Sequence, residues 1–281
     1  MNPEHPKACP YGDLYIYHLS ARLSREMERG LGRDFIGNWV EEDTSFLFFS
    51  SPADEAVNRA KDLQGQIFVL DRFTTTFDQW QGGEGEAFSA GPFYVHTPWN
   101  PGAVPLGSLA IAIDPGVVFG TGTHPTTRDC LLALALAMGE CPASRVLDLG
   151  TGTGLLALAA SALGAEEVLA VDLNPLAADT AQRNVLENGC SDTITVVQGN
   201  AEDFADQPAD LVVANIHFAV MKKLFLRPEF ADHPRFILSG LLRSEVREIK
   251  GVLEVSGHGI VREWDWENTW FTLLAEKPLP L

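Results

Sequence analysis

Nine consecutive residues, Val146-Leu147-Asp148-Leu149-Gly150-Thr151-Gly152-Thr153-Gly154, carry the clearest chemistry in the chain. An apolar run of this kind reads as a buried strand, and the G-x-G-x-G that ends it reads as a turn into a helix. Glycines let the backbone turn sharply and approach a ligand with no Cβ in the way. The dinucleotide fingerprint G-x-G-x-x-G is not met, because position 155 is Leu155. The turn therefore favours a nucleoside without phosphates over a pyrophosphate, and S-adenosylmethionine is the common ligand of that kind. An acid is expected at the end of the next strand, and Asp172 stands there in Val171-Asp172-Leu173-Asn174-Pro175. A carboxylate offers two acceptor oxygens to the vicinal hydroxyls of a ribose. The local alternative for Asp172 is a helix cap before Pro175, a role that Asn174 fills better.

A second buried strand, 210–215, ends in Asn215 and runs into Ile216-His217-Phe218. The carbonyl oxygen of an Asn at a strand tip can accept an N–H from an amine and leave the nitrogen lone pair aimed elsewhere. The plainer reading of Asn215 is a turn residue after a strand. Asn-x-x-Phe also resembles the Asn-Pro-Pro-Tyr/Phe tetrad of amino-group methyltransferases. Segment 114–127, Asp-Pro-Gly-Val-Val-Phe-Gly-Thr-Gly-Thr-His-Pro-Thr-Thr, is too rich in glycine and hydroxyls for a core strand. It suits a loop wrapped over a polar ligand.

Taken together, segment 114–127, the glycine turn, Asp172 and Ala214-Asn215-Ile216 resemble the ribosomal protein L11 methyltransferase family. Leu238-Ser239-Gly240 and the Trp270-Phe271 strand add to the likeness, which is strong over 114–275. In the N-terminal half it extends only to the order of elements. The resemblance implies that Thr127, Gly150, Asp172 and Asn215 contact S-adenosylmethionine. With Phe119, Asp148, Gly152, Gly154 and Asn200 these make the expected cofactor-binding set, and Asn215 and Phe218 the expected catalytic pair. Two departures stand out: His217-Phe218 replaces a Leu followed by a small residue, and Asn200 replaces an acid near the adenine. Glu202 or Asp203 are alternatives for that contact. His217 and His124 are each readable as a proton relay or as a structural histidine. The implied activity is N-methylation of amino groups on a protein such as ribosomal protein L11. The alternatives are a small-molecule N-methyltransferase and a non-catalytic S-adenosylmethionine-binding module.

The elements that must position these residues follow from periodicity. From residue 126 onward helices and strands alternate: helices 126–138, 154–163 and 175–187, another near Val220, and strands 145–149, 167–171, 193–198, 210–215 and 235–239. Two closing strands follow in 259–276. Such alternation implies a parallel sheet covered on both faces. The expected fold is α/β, a doubly wound Rossmann-like methyltransferase sheet with a smaller α+β ferredoxin-like N-terminal domain. For the latter the order is strand 13–19, helix 24–31, strands 35–40 and 44–49, a helix to about 63, and strand 66–70. The expected division is 1–75 for substrate recognition, a linker at 76–100 and a methyltransferase domain at 101–281. Segment 79–86, rich in Gly, Gln and Glu, suggests hinge motion between the halves.

A net charge of −18 opposes non-specific binding to nucleic acid and favours a basic partner, although acidity alone also keeps a protein in solution. The expected partners are thus a basic, L11-like protein or a small amine, with no direct nucleic-acid contact and no membrane. Four cysteines without CxxC spacing give no support for a metal site and are read as reduced, hence cytoplasmic. The polar N-terminus lacks the apolar stretch of a signal peptide. The apolar run 130–138 is too short to span a bilayer.

Overall fold

The computed structural model describes residues 9–65, 67–82 and 86–278. The first part is a four-stranded antiparallel sheet built from β1 (Asp13–Leu19), α1 (Arg25–Glu28), β2 (Phe35–Glu41), β3 (Thr44–Phe49), α2 (Asp54–Gln64) and β4 (Val69–Thr76). Its strand order, β2-β3-β1-β4, is the ferredoxin-like arrangement. Both faces of β1 are used, as strand alternation requires. Tyr17 and Leu19 join Leu47 and Phe49 beneath Val57 and Ala60 of α2. Leu14 and Ile16 turn the other way, with Phe48, onto Val117, Val118, Leu176 and Ala177. β4 runs on to Thr76, beyond the 66–70 expected from hydropathy. It is an edge strand with mostly exposed side chains, so its extent leaves no apolar signature. Residue 66, where that strand was expected to begin, lies outside the described residues.

Residues 76–100, read from the sequence as a linker, hold α3 (Phe77–Gln81), β5 (Phe88–Ala90) and β6 (Phe93–His96). Thr76 and Gln79 form a reciprocal capping box that starts α3, and Phe77 stacks on Tyr11 at 4.5 Å. Residues 83–85 of the Gly-rich stretch lie outside the described residues. β6 pairs with β5 and, in parallel, with β7 (Leu109–Ala112).

The remainder comprises α4 (Pro125–Glu140), β8 (Arg145–Leu149), α5 (Leu155–Ala162), β9 (Glu167–Asp172), α6 (Pro175–Glu187), β10 (Ile194–Gln198), β11 (Leu211–Asn215), α7 (Phe218–Phe225), α8 (Pro228–Ala231), β12 (Arg235–Leu242), α9 (Arg243–Val255), β13 (Gly259–Trp266) and β14 (Trp270–Glu276). The seven strands order as β10-β9-β8-β11-β12-β14-β13, with β14 antiparallel to both neighbours. Along β11, Leu211 and Val213 face one core with α4 and α5, while Val212 and Ala214 face the other with α7 and α9. Burial on both faces is why these strands read as continuous apolar runs. α5 is apolar all round because β6 and β7 cover its outer side with Phe93, Val95 and Ile111. Among the described residues no helix is long and apolar enough to cross a membrane.

Candidate active site

The strand order reverses between β8 and β11, so their carboxyl ends open a crevice at the point where α/β sheets bind ligands. Gly150, Gly152 and Gly154 line it with φ of 74°, 57° and 84°, a region that L side chains rarely enter. Space is also lacking. A Cβ on Gly150 would lie 2.2 Å from Ile216 Cγ2, and one on Gly152 would lie 2.5 Å from the Phe119 carbonyl oxygen.

Asp172 is held across this turn. The Gly152 N–H donates to Oδ2 at 2.9 Å and the Asn174 N–H to Oδ1 at 2.9 Å. Each oxygen keeps a further lone pair for a ligand hydroxyl. Burial pushes the carboxyl's pKa up, and the two N–H groups pull against that. Asn174 caps α6 through Leu176 N at 3.0 Å, so Asp172 is not the cap. Asp148 is buried beneath the turn: Thr151 Oγ1 donates to Oδ2 at 2.6 Å and Oδ1 has no hydrogen-bond partner among the described residues. Burial raises its pKa to about 7, with the nearby Asp172 adding to the rise and Thr151 opposing it.

Asn200 follows β10, whose last residue Gln198 pairs with Asp172, so the two candidates share one edge of the sheet. Its Oδ1 accepts from Glu202 N at 3.3 Å. Of the acids beside it, Glu202 is engaged by Lys223 at 3.5 Å.

The loop before α4 closes over the turn. Thr153 N donates to Phe119 O at 3.1 Å and Thr153 Oγ1 to Gly120 O at 2.7 Å. Further along, Arg128 Nε holds Gly122 O at 2.9 Å while its guanidinium lies over Phe88. A cavity of about 70 Å³ on the Phe88 side of this loop, between Phe77, His96, Thr97 and Arg128, includes none of the glycine turn, Asp172 or Asn215.

The hydroxyl that reaches Asn215 belongs to Thr126, which the sequence reading did not select. Asn215 Nδ2 donates to Thr126 Oγ1 at 3.3 Å, and Thr126 Oγ1 meets His124 Nδ1 at 2.7 Å. His124 Nδ1 also accepts from Thr126 N at 3.4 Å as the cap of α4. Burial lowers the His124 pKa and favours the neutral ring. Nδ1 is then the acceptor, the Thr126 proton points to it, and the Thr126 lone pair receives the Asn215 amide. Asn215 Oδ1 consequently faces away, towards Gly240, where a Cβ would approach it to 3.0 Å. Thr127 is buried in the same turn, with its N–H on His124 O.

The remaining candidates sit at the rim. His217 is exposed and caps α7, accepting from Ala219 N at 3.3 Å. Phe218 is half-buried against the α7–α9 core, with Lys222 Nζ 5.3 Å from its ring centre. The Phe119 ring is 73% exposed and touches Trp39 of β2 edge-on at 5.6 Å.

This strand order, with an antiparallel seventh strand and a glycine turn at the crossover, defines a Rossmann-like fold of the S-adenosylmethionine-dependent methyltransferase class. Residues 88–278 match the family described as "Ribosomal protein L11 methyltransferase (PrmA)", and the chain belongs to that family. The Ribosomal protein L11 methyltransferase of Geobacillus kaustophilus is 40% identical over 176 residues, covering 60% of this chain and 54% of that protein. Its counterpart in Geobacillus thermodenitrificans is 40% identical over 172 residues, with the same coverage of 60% and 54%. The crystal structure of ribosomal protein L11 methylase from Lactobacillus delbrueckii subsp. bulgaricus superposes with a TM-score of 0.60 at 28% identity, covering 69% of this chain and all of that one. The chain spans about half the length of the curated relatives it matches.

Proposed function

We propose that the chain is an S-adenosylmethionine-dependent N-methyltransferase acting on an amino group of a protein, with ribosomal protein L11 as the acceptor its relatives' names point to. One arrangement carries the reading: a cradle with no room for a Cβ at Gly150 or Gly152, an acid with free lone pairs and an Asn that bonds Thr126 through its amide and not its carbonyl converge on one crossover. The fit to the cofactor is chemical. Gly150 and Gly152 allow close backbone approach, Asp172 accepts from ribose hydroxyls, and Asn200 stands where a base would be read. Phe119, Thr127, Asp148 and Gly154 complete the set, with Asp148 acting through Thr151 under the turn.

S-adenosylmethionine, when bound, supplies an electrophilic methyl group on a sulfonium. Asn215 Oδ1 accepts an N–H of the acceptor amine and leaves the nitrogen lone pair free, with Phe218 packing beside it. Holding two reactants in register is worth roughly 7–11 kcal/mol. A lysine amine must enter neutral, at a cost of about 4–5 kcal/mol at pH 7 from its ordinary pKa of about 10.4. An apolar wall such as Phe218 reduces that cost by disfavouring the ammonium. The net charge of −18 suits a basic acceptor.

The test supplies purified chain with methyl-labelled cofactor and ribosomal protein L11, beside a lysate depleted of it. Label on L11 amines supports the reading, whereas label on a small amine shifts the acceptor. Tight cofactor binding with no label transferred rejects the enzyme. Asp172→Ala in the same preparation should weaken cofactor binding by about 1.5–3 kcal/mol, the range for hydrogen bonds to a charged group; calorimetry reads it, and an unchanged affinity removes Asp172 from the site.

A further inference from the structure

We infer that the N-terminal sheet completes the cofactor cleft, with Trp39 of β2 forming an aromatic wall against the nucleoside half of S-adenosylmethionine; this rests on the cofactor reading above. β2 is the outer strand of its sheet, so its backbone is free to bond elsewhere. Val40 O, next to Trp39, accepts from Asn174 Nδ2 at 3.2 Å, and Asn174 N holds Asp172 Oδ1. On its other side the Trp39 ring meets Phe119. The Phe119 carbonyl crowds Gly152, whose N–H holds Asp172 Oδ2. Trp39 is thus tied to both oxygens of the proposed ribose acid by two independent routes. A third tie reaches the neighbouring strand, where Arg25 of α1 donates to Gln198 Oε1 at 3.3 Å and pairs with Asp179 at 3.2 Å.

The placement is fixed by packing. Gly37 of β2 lies so close to α6 that a Cβ would come within 2.3 Å of Leu176 Cδ1. Leu14, Ile16 and Phe48 bury against Leu176 and Ala177 in one cluster, and Trp39 packs on its margin. What remains open is an edge-on pair of rings, Phe119 mostly exposed and Trp39 half-buried, at the mouth beside Asp172. Two aromatic faces at such a place suit a flat heterocycle, because base-on-aromatic contact is favourable whatever the base.

The test titrates S-adenosylmethionine, and separately adenosine, into the full chain and into Trp39→Phe and Trp39→Ala, with tryptophan emission and calorimetry read together. The expected result is an emission change in the native chain that vanishes in Trp39→Phe, whose affinity stays within about threefold. Trp39→Ala should lose about 5–150-fold in affinity for both ligands, the order seen when one stacking ring is truncated. An emission change that persists in Trp39→Phe overturns the assignment, and so does native affinity in a folded Trp39→Ala chain. A Trp39→Ala chain that fails to fold leaves the Trp39→Phe emission to decide. Absence of any cofactor binding by the native chain instead overturns the cofactor reading itself.

Discussion

The role proposed for Asn215 requires its carbonyl rather than its amide to face the acceptor, and the bond from its amide to Thr126 sets that choice. Thr126→Val removes the hydroxyl at nearly constant volume, takes the Thr126 oxygen from Asn215 Nδ2 and leaves His124 Nδ1 only the backbone N–H of residue 126. Turnover should fall about 10–100-fold, from the roughly 1–3 kcal/mol of an unsatisfied buried group, with cofactor affinity within about threefold and Thr126→Ser largely restoring the rate. Steady-state kinetics beside a cofactor titration decides it, and an unimpaired Val variant would show that the chain of bonds is idle. Asp148 makes a second prediction with a definite sign. Its carboxyl is raised from 3.8 to about 7 in the folded chain by burial, so the unfolded chain ionises first. Between about pH 4 and 7 the unfolded state holds fewer protons, and stability present in acid is lost as pH rises towards 7. Asp148→Asn lacks this loss. Its stability relative to the native chain should therefore gain on the order of 3 kcal/mol between pH 5 and pH 8, at about 1.36 kcal/mol per unit. Urea unfolding at the two pH values reads the difference, and a gap that stays constant or reverses contradicts the buried-acid argument.

At the scale of elements, the β8–α5 turn exists because three positions take left-handed φ and two of them, Gly150 and Gly152, have no room for a side chain. Gly152→Ala would strain φ at 57° and drive a methyl into the Phe119 carbonyl. The variant should lose about 1–3 kcal/mol of stability from the backbone conformation alone, and cofactor binding should weaken with the displaced loop. Thermal melting and calorimetry would show both, and a native-like variant would mean the loop yields easily. These glycines were legible in the sequence because their chemistry is local. So were β8 and α6, the one a short apolar run and the other opened by Asn174 and Pro175. α9 is absent from the expected elements although Val246, Ile249 and Leu253 fall on one helical face. α3 and β5 to β7 were hidden for another reason: each is only 3 to 5 residues long, too short to show a period, and the chain around them is broken by glycines and prolines. In the site, Thr126 and Thr127 are adjacent and alike, so only the direction of the first turn of α4 could separate them. Trp39 was invisible because its position is set by packing of the N-terminal sheet on α6 and on Val117 and Val118, far along the chain.

For the whole molecule the question is whether the N-terminal sheet swings. A Gly-rich segment invites that reading, and relative motion is the default for domains joined by small polar interfaces. The contact here is instead a core: Leu14, Ile16, Phe48 and Phe77 bury with Val117, Val118, Leu176 and Ala177. Its far side is continuous with the loop that covers the glycine turn, since Trp80 Nε1 donates to Val117 O at 3.3 Å and Gln81 Nε2 to Gly116 O at 2.8 Å. A sheet joined in this way should melt with the rest of the chain. Ile16→Ala, far in sequence from the glycine turn and Asp172, should cost about 2–5 kcal/mol and lower the one transition seen by every probe. It should also weaken cofactor binding, because the same cluster carries β2 and its Trp39. Scanning calorimetry tests the idea directly. Two resolved transitions in the native chain, or an Ile16→Ala variant that unfolds its N-terminal sheet while keeping native cofactor affinity, would establish two independent units and return the hinge to consideration.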